Sequence, residues 1–273
     1  MKSFRHIELE HRGEVLWIYF NRPQVKNAFN LEKAREFLQA VRFGMKAKSV
    51  AVIVLAGKGD TFSAGGDIKL MKETKAPKKF FLEISRLIHR AVVEIRRGPK
   101  PVLAAISGYV GGVAFGFVLA TDFRVATEDS HFNAATIRLG LVANGGATYH
   151  LPRIVGFARA SEILFLGEIL NAREALKSGL VNRLVPPGRL LEETQTLAER
   201  LAAGPRKALA RLKKTLNESL DSDLVSQLQR ERQAIAWSST QPDFQEGIRA
   251  FLEKRKPVFN RTLSRPSTAK AAT

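Results

Sequence analysis

The chain has 273 residues and no cysteine, which excludes a disulfide scaffold, a thiolate nucleophile and cysteine-ligated zinc. Hydrophobic residues make up 45% of it, ample for a sizeable core, yet no uninterrupted apolar stretch reaches the roughly 18–20 residues of a membrane-spanning helix. Lys and Arg number 44 against 26 Asp and Glu, a formal net charge of +18; such a field attracts polyanions and says nothing about fold.

The opening MKSFRHIELEHRGEVLWIYF alternates charged and apolar residues without an apolar leader, so cytoplasmic residence is the expectation. Glu14–Asn21 reads as a strand after a turn at Arg12–Gly13, and Arg22–Pro23 breaks it. Leu31–Phe43 carries Leu31, Ala34, Phe37, Leu38 and Val41 at helical spacing. Val50–Ala56 is a β-branched apolar run that reads as a strand buried on both faces. Phe80–Ile95 predicts a second amphipathic helix, closed by Gly98–Pro99. Pro101–Ile106 and Phe123–Ala126 are further strands, with an apolar helical run around Val113–Ala120 between them. Strands alternating with helices predict right-handed crossovers and a largely parallel α/β sheet. After Pro186–Pro187–Gly188 the pattern becomes purely helical: Leu190–Leu201, Pro205–Leu220, Leu224–Trp237 and Pro242–Lys254. The expected domains are 1–187, 188–260 and a polar, frayed tail over 261–273.

Two segments place glycines between a strand and a helix: Phe62–Met71 (FSAGGDIKLM) and Ser107–Asp122 (SGYVGGVAFGFVLATD). Two such turns can aim two backbone N–H donors at one oxygen, the geometry of an oxyanion hole. Neither matches a nucleotide-binding glycine loop. Asp67 reads as the cap of the helix beginning there or as an acid, and Lys69 as a phosphate contact or a solvated charge.

FSAGGDIKLM, KPVLAAISGYVGG and LGLVANGGATYHLPRIVG, in this order and spacing, resemble the crotonase (enoyl-CoA hydratase/isomerase) family. NRPQVKNAFN, SGLVNRLVP and FLEKRKPVF resemble it too, so the similarity covers roughly residues 5–259. The resemblance implies a crotonase-like ββα spiral core that binds acyl-CoA, followed by a C-terminal helical trimerisation region, assembled as a homotrimer or a dimer of trimers. It implies a thioester oxygen held by the backbone N–H groups of Gly66 and Val113. Ala64, Gly66, Asp67, Ile68, Lys69 and Gly112 would line the acyl-CoA path, and Lys26 and Lys254 would lie near the nucleotide phosphates. Coenzyme A is then part of the substrate, with no other cofactor, no metal, no membrane and no nucleic acid expected. One branch of the family binds RNA through lysines on the first long helix; the matching positions here are Leu31, Arg35 and Gln39, and Arg35 alone is basic.

The family's acid/base positions are neutral in this chain. Gly116 and Thr136 stand where a hydratase has glutamates, and Asn144 stands where some isomerases have an aspartate. Gly116 either leaves room for a larger acyl group or eases a helix contact, and Phe115 and Phe117 are expected to make its surroundings bulky. Tyr109, His131, Tyr149 and His150 are the nearest other groups that could move a proton. The five histidines show no metal-ligand spacing. The expectation is a divergent isomerase, hydratase, decarboxylase or carbon–carbon lyase acting through a thioester enolate. A non-catalytic acyl-CoA-binding or assembly subunit is the alternative, and RNA binding a weaker one.

Overall fold

The computed structural model describes residues 4–260; the expected tail, 261–273, lies outside the described residues. The described chain divides into two compact units between Ala202 and Ala203.

The first unit opens with a hairpin. β1 (Ile7–Arg12) pairs antiparallel with β2 (Val15–Phe20) around Gly13, whose φ of +59° suits glycine. Then follow α1 (Leu31–Lys46), β3 (Val52–Gly57), α2 (Ile68–Glu73), α3 (Pro77–Arg97), β4 (Val102–Ile106), β5 (Tyr109–Gly111), α4 (Gly112–Val118), β6 (Phe123–Thr127) and β7 (His131–Asn133). The unit closes with α5 (Ala147–Val155), α6 (Phe157–Leu166), β8 (Ile169–Asn171), α7 (Ala172–Lys177), β9 (Arg183–Val185) and α8 (Leu190–Ala202). The main sheet has the order β1-β2-β3-β4-β6-β9, parallel throughout except for the opening hairpin. A second sheet, β5-β7-β8, stands beside it. This is the expected α/β spiral.

Period-two alternation explains why the strands read as continuous apolar runs. On β2, Leu16, Ile18 and Phe20 enter the core that α1, α3 and α4 cover, while Val15, Trp17 and Tyr19 enter a second core on the opposite face. That second core is closed by Leu190, Leu197, Ala198 and Ala202 of α8, and Trp17 Nε1 donates to Gln195 Oε1 at 2.6 Å. Burying Leu190 and Leu197 contributes about 1.5–3 kcal/mol each, so α8 belongs to the sheet. The division therefore follows α8, whereas the expected boundary at Pro186–Gly188 precedes it.

Phe117 sits at the middle of an aromatic cluster, its ring 5.0 Å from Phe37, 5.5 Å from Phe29, 5.8 Å from Phe20 and 6.3 Å from Phe62. The Phe20 and Phe29 contacts are edge-to-face and the other two tilted; aromatic contacts of these kinds add to plain burial and make a stiff base for the loops above. Phe115 is as deeply buried. Both rings belong to the core, which corrects the expectation that they shape a ligand's surroundings.

The second unit contains α9 (Arg206–Ser219), α10 (Leu224–Ser239) and α11 (Pro242–Leu252). Among its described residues Ala250 is the one fully buried apolar side chain, while Leu212, Leu216, Leu224, Val225, Ile235 and Phe251 are all exposed. Among the described residues no helix is long and apolar enough to cross a membrane.

Candidate active site

The first glycine turn is held by buried polar groups. Asn27, itself fully buried with φ of +53°, donates through Nδ2 to the carbonyls of Lys58 (2.9 Å) and Thr61 (2.7 Å). Its own carbonyl accepts from Ser63 Oγ (2.8 Å) and from Lys33 Nζ, and Gly65 N–H donates back to Ser63 Oγ at 3.2 Å. Lys33 is completely buried, with Nζ 4.1 Å from the Phe29 ring centre and 4.4 Å from that of Phe20. Desolvation, reinforced by the nearby charge of Arg22, holds its amine well below the ordinary lysine value. Phe29 N–H donates to Gly65 O and Asp67 N–H to Phe29 O, so Gly66 is flanked by paired groups. Among the described residues, Gly66 N–H donates to no protein acceptor.

The second turn packs on the first, backbone to backbone. Ser63 N–H donates to Tyr109 O and Gly111 N–H to Ser63 O. A Cβ on Gly65 would lie 2.6 Å from Gly111 O, and one on Gly111 would lie 2.9 Å from Ala64 O. Both positions are restricted to glycine by this approach, and Gly65 also by its φ of +95°. A Cβ on Gly112 would come within 3.9 Å of Gly66 N, which shows how near the two turns stand. Val113, the next residue, is the second residue of α4, with no preceding turn of helix to accept its N–H. The turns thus bring Gly66 and Val113 to the lining of one cavity of about 560 Å³.

That cavity takes in Ala64, Gly66, Ile68, Gly112 and Val113 as expected, and also Thr136 and Asn144. Leu139, Leu141 and Val142 give it an apolar lip. Thr136 Oγ1 is engaged with Ala134 O at 3.4 Å. Other expected residues fall elsewhere. Asp67 is buried but does not line the cavity: its carboxylate accepts from Arg22 Nη1 and Nη2, each at 3.2 Å, and makes no cap bond to α2. An arginine 45 residues away outcompetes the local amide, because pairing satisfies two buried charges at once. Lys69 is exposed outside the cavity. Lys26 is exposed too, and its carbonyl accepts from Ala64 N–H at 2.8 Å, helping to seat the turn. Lys254 follows α11 in the second unit, with φ of +53°. Arg35, the basic member of the RNA-comb positions, is paired with Glu83 at 3.0 Å.

Gly116 does not face the cavity. A Cβ there would lie 2.0 Å from Asn144 O and 2.9 Å from the Gly145 carbonyl carbon. Between the two readings of this glycine, the geometry selects close packing of α4 against the 144–145 backbone. Extra acyl space is overturned, because the place where a side chain would project is filled with main chain.

The alternative proton carriers named from sequence are also displaced. His131 and Tyr149 are exposed, and Arg153 stacks on the Tyr149 ring at 3.7 Å. His150 is buried behind Gly146, and desolvation with the charges of Arg96, Arg124 and Arg153 lowers its pKa to about 4. Tyr109 hydroxyl accepts from Asn133 Nδ2, and burial raises its pKa. None of these four lines the cavity, although Asn133 does.

Sequence reasoning missed the polar cluster that does. From α3, Phe81, Ser85 and His89 share one face at spacings of four and reach the cavity. His89 Nε2 lies 2.5 Å from Asn144 Oδ1, and Asn144 Nδ2 donates to Ser85 Oγ at 2.8 Å. The one available signal was a serine and a histidine set beside the apolar stripe of a strongly amphipathic helix.

Comparison with known proteins identifies the family. Residues 10–262 match the family model described as enoyl-CoA hydratase/isomerase. A crotonyl-CoA hydratase from Syntrophomonas wolfei subsp. wolfei is 32% identical over 259 residues, covering 94% of this chain and 98% of that protein. A 1,2-epoxyphenylacetyl-CoA isomerase from Escherichia coli is 30% identical over 247 residues, covering 90% and 94%. The crystal structure of an enoyl-CoA hydratase from Polaromonas sp. matches with a TM-score of 0.89 at 31% identity, over 93% of this chain and 99% of that one. The two relatives are named for different reactions, so similarity fixes the family and leaves the reaction to the site.

Proposed function

The chain belongs to the enoyl-CoA hydratase/isomerase family, and from that premise we propose that it is an acyl-CoA enzyme that stabilises a thioester enolate without carboxylate catalysis. The observation that carries this is that Gly66 and Val113 both line a cavity whose described lining includes no Asp or Glu. Two backbone N–H donors aimed at a thioester oxygen favour the charge that develops there when the α-carbon loses a proton. The donors are main-chain atoms, so valine at 113 serves as well as glycine would. The reaction class that fits is one that needs an enolate and no activated water: isomerisation, decarboxylation or carbon–carbon cleavage ahead of hydration.

Coenzyme A, a phosphate-rich anion, gives part of the +18 charge a purpose, with Lys26 and a neighbouring subunit's Lys254 as candidate phosphate contacts. A homotrimer or dimer of trimers suits the second unit, whose exposed leucines on α9 and α10 need a cover that its own core does not supply.

The test is hydration of crotonyl-CoA, followed as loss of enoyl-thioester absorbance at saturating substrate. A positioned acid or base contributes about 10²–10⁴ in rate. Binding with hydration orders of magnitude slower than a hydratase carrying both glutamates is the expected result. Fast hydration would overturn the reading. Binding without turnover of any acyl-CoA thioester would favour a non-catalytic acyl-CoA-binding subunit.

A further inference from the structure

We propose that His89 is the residue that moves the substrate α-proton, with its reactive nitrogen set by Asn144. The proposal rests on the acyl-CoA reading above and names the group which that reading leaves open. Among the described residues lining the cavity, His89 is the one titratable side chain; its polar companions, Ser85, Asn133, Thr136 and Asn144, do not ionise near neutral pH.

Hydrogen bonding settles which nitrogen is basic. Gly145 N–H donates to Asn144 Oδ1 at 2.7 Å, which identifies that atom as the amide oxygen. His89 Nε2, at 2.5 Å from the same oxygen, must then carry a hydrogen, and the lone pair falls on Nδ1. Asn144 itself cannot turn, because its Nδ2 is committed to Ser85 Oγ. An amide orients the imidazole without adding a charge, where an aspartate at 144 would favour the imidazolium.

The base and the oxyanion donor share a mechanical frame. A Cβ on Gly145 would lie 2.6 Å from Val113 O, and one on Gly116 would lie 2.0 Å from Asn144 O. The turn that orients His89 is therefore pressed against the helix whose first turn holds the Val113 donor. In the step assigned here the Cα–H bond breaks and its proton passes to His89 Nδ1. The electron pair delocalises onto the thioester oxygen, between Gly66 and Val113 N–H. Return of a proton from the imidazolium to the α-carbon regenerates the thioester, so the balance needs no co-reactant.

Exchange of that proton with solvent deuterium reads the step directly. Butyryl-CoA and octanoyl-CoA are incubated with the protein in D₂O and loss of the α-CH₂ signal is followed by NMR, with binding measured separately by calorimetry. His89→Gln should retain binding and lower exchange by about 10²–10⁴. Asn144→Leu, which removes the acceptor, should lose exchange similarly, whereas Asn144→Asp, which keeps it, should retain exchange with the base limb of its pH profile moved to higher pH. The charges beside His89 are Lys78, Arg86, Arg90 and Glu94 on its own helix, with Arg42 of α1 paired to Glu94, while the 143–146 turn brings none. Against that fixed background the new carboxylate is the one added charge. Unchanged exchange in His89→Gln, or wild-type binding with no exchange above the free thioester, would overturn the assignment. Failure of both thioesters to bind would instead reject the acyl-CoA reading on which it stands.

Discussion

Two parts of the same cavity are built on different principles. The proposed oxyanion part is main chain: Gly66 and Val113 N–H, the first turn seated by Asn27, Ser63 and the buried Lys33 amine, near a cluster of phenylalanine rings. The proposed proton-handling part is side chain: Ser85, His89 and Asn144, brought together from α3 and a glycine turn. Main-chain donors tolerate any residue whose backbone takes the required path, so that half can persist while sequence changes around it. A side-chain half must be replaced group by group, and the positions where the sequence resemblance leads one to expect the family's carboxylates carry Gly116, Thr136 and Asn144.

The comparison breaks most visibly at Gly66. Gly66→Pro removes one donor, and turnover should fall by about 10²–10³. A Cβ at this site would lie 2.0 Å from Met71 Cε, the free end of a flexible side chain that can move aside. Circular dichroism must show a folded variant before the rates are compared. Full turnover in a folded variant would remove Gly66 from the mechanism.

Acid should strike the side-chain half. His150 lies against Gly146, one turn behind Asn144, with its pKa lowered to about 4 from an ordinary 6.5. The unfolded chain therefore binds the proton first as pH falls. The stabilisation is complete above about 6.5, declines below that and is gone near pH 4, a loss of up to about 3 kcal/mol. His150→Gln should flatten denaturant midpoints across that window, and an unaltered acid slope would assign the effect to other groups. The smallest effect expected is at Gly116: Gly116→Ala overpacks α4 against Asn144 O and should cost about 1–3 kcal/mol, read from urea unfolding. An unaffected midpoint would mean the 143–146 turn yields more readily than the close contact implies.

Much of this was legible in the sequence where burial is two-sided. The runs of β2, β3 and β4 are apolar at every position because both faces of the sheet are covered, and α1 and α3 show their helical stripes. β1 escaped because, as an edge strand, it is half exposed and carries charges on alternate residues. The β5-β7-β8 sheet escaped because its strands are three residues each, too short for any period to show. Within the site, the glycine turns were legible as spacing, since their constraint is local. The partnerships were not: Arg22 finds Asp67 across 45 residues and His89 finds Asn144 across 55. No local pattern encodes such a pair, and the cap expected of Asp67 was the local answer to a long-range question. Gly116 shows the same limit, for whether a missing side chain leaves a hole or admits a neighbouring backbone depends on a turn 28 residues away.

The central claim is that two backbone N–H groups hold the thioester oxygen. A crystal structure with butyryl-CoA bound tests it most directly. The account predicts the thioester oxygen within about 2.7–3.1 Å of both Gly66 N and Val113 N, with the α-carbon facing His89. A thioester seated elsewhere, or an oxygen bound by side chains while those two N–H groups point away from it, would contradict the account.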